Sequence, residues 1–184
     1  MKKLFLALAF FLIAAPVIAH KAHTHGAARL NLSVEGDTVE IGFETPLANL
    51  ISFERAPGND KESEEARNMA AVLRNPATIF IFPRNAQCSL KTMLLKADVL
   101  ARELDSTPYE HEHGHEQENH DNADGHADLD AEFVFTCQNP AALNQVEVRL
   151  FQAFSALKRI DANLVTPRGQ KAMRLTPRSN RLQW

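Results

Sequence analysis

The stretch Ala28-Arg29-Leu30-Asn31-Leu32-Ser33-Val34-Glu35-Gly36-Asp37-Thr38-Val39-Glu40-Ile41-Gly42-Phe43-Glu44-Thr45-Pro46 alternates apolar and polar residues on both sides of a Gly-Asp turn. Leu30, Leu32 and Val34 share one face of a first run, and Val39, Ile41 and Phe43 share one face of the next, so the segment predicts a β-hairpin. The same period of two recurs downstream. Leu129, Ala131, Phe133, Phe135 and Cys137 alternate with Asp130, Glu132 and Thr136, which points Cys137 to the core. Val146, Val148 and Leu150 alternate with Glu147 and Arg149, and Phe151, Phe154 and Leu157 follow as a compact apolar patch. Residues 160–166 and 170–176 flank Thr166-Pro167-Arg168-Gly169, a second hairpin signal, and the tail ends on Leu182 and Trp184. From 88 to about 104 the chain is rich in Leu, Val, Met and Thr and predicts a long strand or a strand with a bulge.

Only one segment has a clear helical period. After Pro57-Gly58, Asn59 and Asp60 offer caps, Ala66, Met69, Ala70 and Leu73 follow at helical spacing, and Asn75-Pro76 ends the pattern. The run Ile79-Phe80-Ile81-Phe82, closed by Pro83, is too short to assign and fits a buried strand or an extension of the helix. The expected class is α+β, mostly antiparallel β and sandwich-like, with one amphipathic helix and a long His/Asp/Glu-rich hairpin loop.

Met-Lys-Lys, an apolar run over 4–15 and Pro16-Val17-Ile18-Ala19 have the order of a secretory signal peptide, residues 1–19. The run is shorter than the roughly 20 residues of a membrane span. Cleavage after Ala19 leaves 20–184 as a single exported domain, with 105–128 a flexible loop and no membrane span. In an oxidising compartment Cys88 and Cys137, which lack C-x-x-C spacing, favour a disulfide over a thiolate metal site. If the segments carrying them pair antiparallel with the cysteines facing, the midpoint, 112.5, falls between Glu112 and His113, and the bridge stabilises by roughly 4 kcal/mol on the chain-entropy account.

That midpoint lies in the most unusual stretch of the chain. All eight histidines fall in two clusters, His20, His23 and His25 at the front and His111, His113, His115, His120 and His126 in the middle. The central five occupy 16 residues and alternate with acids that include Glu112, Glu116, Asp121 and Asp124. Residues 110–130 carry eight acids and no Lys or Arg, while the whole chain is −3, leaving +5 elsewhere. Imidazole is the commonest protein ligand for borderline divalent cations and carboxylates complete such spheres, so the clusters predict metal capture. A solvated acidic loop and a pH-sensing loop are the alternatives. His23 and His25 stand just before the first strand, which suggests a fixed site there with the loop histidines as a collector. The free amine and ring of His20 offer a further chelate.

Other features have plainer explanations. Lys158, Arg159, Arg168, Lys171, Arg174, Arg178 and Arg181 face a single acid, Asp161, and form a solvated face or a dock for the acidic loop, a partner or anionic lipid. No basic cluster is interleaved with aromatics, so nucleic acid is not an expected partner. Met69, Met93 and Met173 are scattered, unlike a copper(I) site. Ligands concentrated in a loop also lack the rigid three-ligand site and placed base of a zinc hydrolase, so no enzyme is expected. Zinc, copper, nickel and cobalt are not distinguished by such ligands.

The apolar leader, His23-Thr24-His25-Gly26 running into Ala28, Leu30, Leu32 and Val34, the following Glu44-Thr45-Pro46, the two cysteines and the central His/Asp/Glu stretch together resemble the ZrgA family of periplasmic zinc-binding proteins. The resemblance implies that the metal is Zn(II), that the loop histidines are ligands, and that the protein works beside components of a zinc import system. The chain is too short, and lacks the strand-helix alternation, for the two-lobed binding protein of such an importer.

Overall fold

A computed structural model describes residues 24–104 and 127–184; the expected signal peptide, His20, His23 and residues 105–126 lie outside the described residues. The hairpin predicted from the opening stretch forms as β1 (Ala27–Glu35) and β2 (Thr38–Pro46), with Glu35 opposite Thr38. Gly36 turns the chain at φ +60°, a conformation glycine adopts without a Cβ penalty, in the glycine-first arrangement of a two-residue hairpin turn.

The chain is mostly antiparallel β. β1 and β2 sit at the centre of a six-stranded sheet completed by β4 (Cys88–Lys96), β5 (Asp128–Cys137), β7 (Arg159–Thr166) and β8 (Gly169–Leu175), in the order β4-β5-β2-β1-β7-β8. Every pairing in it is antiparallel except β1 with β7. A smaller sheet, β3-β6-β9, joins β3 (Phe80–Ile81), β6 (Gln145–Val148) and β9 (Arg181–Gln183). Leu30, Leu32, Ile41, Phe43, Phe133 and Ile160 line the buried face of the large sheet, and the small sheet covers it, with the Phe80 ring 5.2 Å from that of Phe133 in an edge-to-face contact.

The expected helix is α1 (Asp60–Leu73). The Asn59 side chain accepts from the Glu62 amide at 3.0 Å, and Ala66, Met69, Ala70 and Leu73 join the core. The undecided apolar run is both elements in succession: α2 (Pro76–Ile79) ends and β3 begins at Phe80. A third short helix, α3 (Leu150–Ala153), buries Leu150 and Phe151 beside Phe154 and Leu157.

The strand expected to run to about 104 is corrected to a shorter one. β4 ends at Lys96, and the chain continues through a 3-10 turn at Asp98–Leu100, because Ala97, Leu100 and Leu104 are the buried residues and their spacing of three and four suits a helical turn, not alternation. The bulge did form. The register with β5 shifts between Leu90 and Thr92, so the core-facing phase passes from Cys88 to Met93 and Leu95. The two cysteines are bonded, and Cys88 pairs directly with Cys137 in the β4–β5 ladder.

The segment after β2 is tied to α1. Ser52 donates from both its amide and its hydroxyl to Glu65, and Arg55 donates twice to Glu62, at 2.7 and 2.9 Å, while the Gly58 amide adds a third bond at 2.7 Å. The guanidinium and that amide hold the Glu62 carboxyl at about 2, against an ordinary 4.5. A carboxyl depressed by folding contributes stability above its unfolded pKa and loses it as pH falls through the folded value. Glu62→Gln is therefore expected to flatten the loss of stability between pH 4.5 and about 2, read from urea unfolding of both proteins across that range; parallel curves would show that the clasp does not couple to folding.

Candidate metal centre

Of the expected ligands, His25 lies among the described residues, whereas His20, His23, His111, His113, His115, His120, His126, Glu112, Glu116, Asp121 and Asp124 lie outside them. His25 occupies a turn just before β1. Its imidazole is 62% exposed, and Nε2 lies 3.7 Å from Oε1 of Glu54, whose side chain is only 11% exposed. That separation is an ion-pair contact; a carboxylate this close to an imidazole can orient a histidine ligand when the two close to hydrogen-bond distance. Among the described residues no group of three or more His, Cys, Asp or Glu side chains is placed to hold a metal ion.

The backbone around His25 is held firmly. Gly26 adopts φ +77°, its carbonyl accepts from the amides of Lys158 and Arg159 at 2.8 and 2.9 Å, and a Cβ there would press on Lys158 Cγ at 3.3 Å. The Ala27 amide donates to the Thr24 carbonyl at 3.1 Å.

Both ends of the acidic stretch are anchored as well. On the entry side the Leu104 carbonyl accepts from Arg74 Nη2 at 2.6 Å, and Ser63 Oγ donates to Glu103 Oε1 at 3.3 Å, which fastens that end to α1. On the exit side the Ala127 carbonyl accepts from the Leu47 amide at 2.8 Å, and Asp128, the last residue of the expected loop, already belongs to β5 opposite Pro46.

Strand polarity brings these places together. The start of β1, the end of β2, the end of β4 and the start of β5 share one rim of the large sheet, as does the start of β7 through its parallel pairing with β1. A depression of about 230 Å³ at this rim is lined by Thr24, Arg29, Glu44, Asp128, Arg159 and Asp161. Across all six strands, one register row here is charged throughout: Lys96, Asp130, Glu44, Arg29, Asp161 and Arg174. Glu44 and Asp130 are adjacent acids, each flanked on its other side by a cation.

The C-terminal cations form local surface contacts. Asp161 accepts from Arg174 and forms an ion pair with Arg159, Glu147 faces Arg149 and Arg181, and Arg168 and Lys171 donate to the carbonyls of Trp184 and Gln183. Exposed pairs of this kind contribute little stability. No helix among the described residues is long and apolar enough to cross a membrane.

Sequence patterning did not single out Leu47 and Asn49, which hold the two histidine-bearing segments to the rim. The available signal was one buried amide within the apolar run Leu47-Ala48-Asn49-Leu50-Ile51. A sequence model of a family described as "ZrgA family zinc uptake protein" matches residues 22–184. Comparison with curated proteins finds no match.

Proposed function

Because the chain belongs to the ZrgA family of zinc uptake proteins, we propose that it is a non-catalytic periplasmic protein that captures Zn(II) and buffers it or delivers it to a zinc import system. Zinc is its cargo. The observation that carries this reading is the density of imidazole and carboxylate in 110–126, inserted between β4 and β5. The fold supports it by fixing the residues that flank that insertion, Leu104 on one side and Ala127 on the other. Export is supported by the apolar leader and by the bonded cysteines, since disulfides persist in oxidising compartments.

The test is calorimetric titration of the metal-free protein with zinc, beside a variant lacking residues 110–126. Ala127 and Asp128 are retained because the sheet holds them. Loss of most zinc binding in a variant that still melts cooperatively is the expected result; unchanged binding would overturn the assignment of zinc to 110–126, and a parent that binds no zinc would overturn the reading as a whole. Repeating the titration in buffers of different ionisation enthalpy counts the protons released, since imidazole binds metal only when deprotonated.

A further inference from the structure

We propose that Asn49 is a positioning residue for zinc capture, holding His25 as a zinc ligand at the rim where the acidic segment rejoins the sheet. This rests on the zinc-binding reading above. Asn49 is only 1% exposed, and a buried amide is costly unless its donors and acceptor are satisfied. Here they are used across the fold. Its Oδ1 accepts from the Gly26 amide at 2.5 Å, while Nδ2 donates to the Ala27 carbonyl at 2.8 Å and to Thr45 Oγ1 at 2.9 Å.

A residue needed only to shape its own 3-10 turn, Leu47–Asn49, would bond locally. The bonds from Asn49 to Gly26 and Ala27 instead span 23 and 22 residues and clasp the two positions directly after His25. The other residues of the turn converge on the same rim. The Leu47 amide holds Ala127, and the Ala48 amide donates at 3.2 Å to Oε1 of Glu54, the oxygen beside the His25 ring. One three-residue turn thus sets the backbone next to His25, the carboxylate that faces its ring, and the residue that ends the acidic segment. Partners that orient a ligand in this way commonly change metal affinity by about 10- to 100-fold when removed.

The test measures the zinc affinity of the tightest site by chelator competition on the metal-free full chain, its Asn49→Ala and His25→Ala variants, and the double variant. Each single change is expected to weaken that site at least about tenfold, and the double variant should be no weaker than the more affected single one, because both act through one imidazole. Asn59→Ala, which removes the α1 cap, serves as a control that lowers stability without changing affinity. Independent, additive losses, or unchanged affinity in folded Asn49→Ala, would overturn the proposal. Should Asn49→Ala fail to fold, the exposed His25→Ala change carries the test, and unchanged affinity there overturns it too. A protein whose parent form binds zinc through 110–126 but ignores both substitutions refutes this inference alone; a parent that binds no zinc refutes the functional reading beneath it.

Discussion

Replacing Cys88 and Cys137 together with alanine is expected to lower the melting temperature by about 8–16 °C, because the bridge they form is worth roughly 4 kcal/mol and a chain of this size loses about 2–4 °C per kcal/mol. The bridge closes a separation of 49 residues, so its largest effect is on the unfolded chain, which it prevents from exploring states in which β4 and β5 are far apart. Its place in the ladder gives the prediction a second arm. Cys88 and Cys137 are partners at the end of the β4–β5 pair opposite the rim, about 27 Å from Lys96 at 3.4 Å per residue. Zinc affinity of the folded variant should therefore match that of the parent. Thermal melts followed by circular dichroism, with zinc titrations below the transition, check both arms. A melting temperature within about 2 °C of the parent would mean that β-pairing alone holds the hairpin.

Phe133→Ala is expected to cost about 3–5 kcal/mol, the range for deleting a large aromatic from a packed interior. Phe133 is 1% exposed at the middle of β5, between Ile41 of β2 and Met93 of β4, and its ring meets Phe80 of the small sheet. Removing it opens a cavity between the two layers, and Phe135, the other β5 aromatic in contact with Phe80, cannot fill it without leaving its own contact with Phe82. Leu94 on the same sheet points the other way and is 51% exposed, so Leu94→Ala should stay within about 0.5 kcal/mol of the parent. Urea unfolding of the three proteins decides the matter; equal losses at the two positions would show that the small sheet does not pack on the face assigned to it.

Much of the fold was legible where the signal is local. The β1–β2 and β7–β8 hairpins follow from alternation around a glycine-containing turn, and α1 follows from apolar spacing between a cap and a proline. The bond between Cys88 and Cys137 was also accessible, because they are the two cysteines of a chain expected in an oxidising compartment; that they face each other in an antiparallel pair was a supposition, and the ladder has them opposite. Where the reading fell short, two periods met within a few residues. The segment at 97–104 changes from alternation to a helical turn, and β3 and β9 are too short to show any period.

The candidate site divides along the same line. By itself the sequence determined the longer elements with a clear period, the faces they bury, and that the imidazoles are gathered in two clusters, the central one interleaved with carboxylates, since each depends on neighbours within about one turn or one hairpin. Only the tertiary structure decided that β1 pairs in parallel with β7, that one rim collects His25 and the end of the acidic segment, and that Asn49 is buried there with its amide satisfied. Those features join residues that are 20 to more than 100 positions apart. Which of them meet depends on how the sheets bury their apolar faces against each other, a property of the packed whole that no local period encodes.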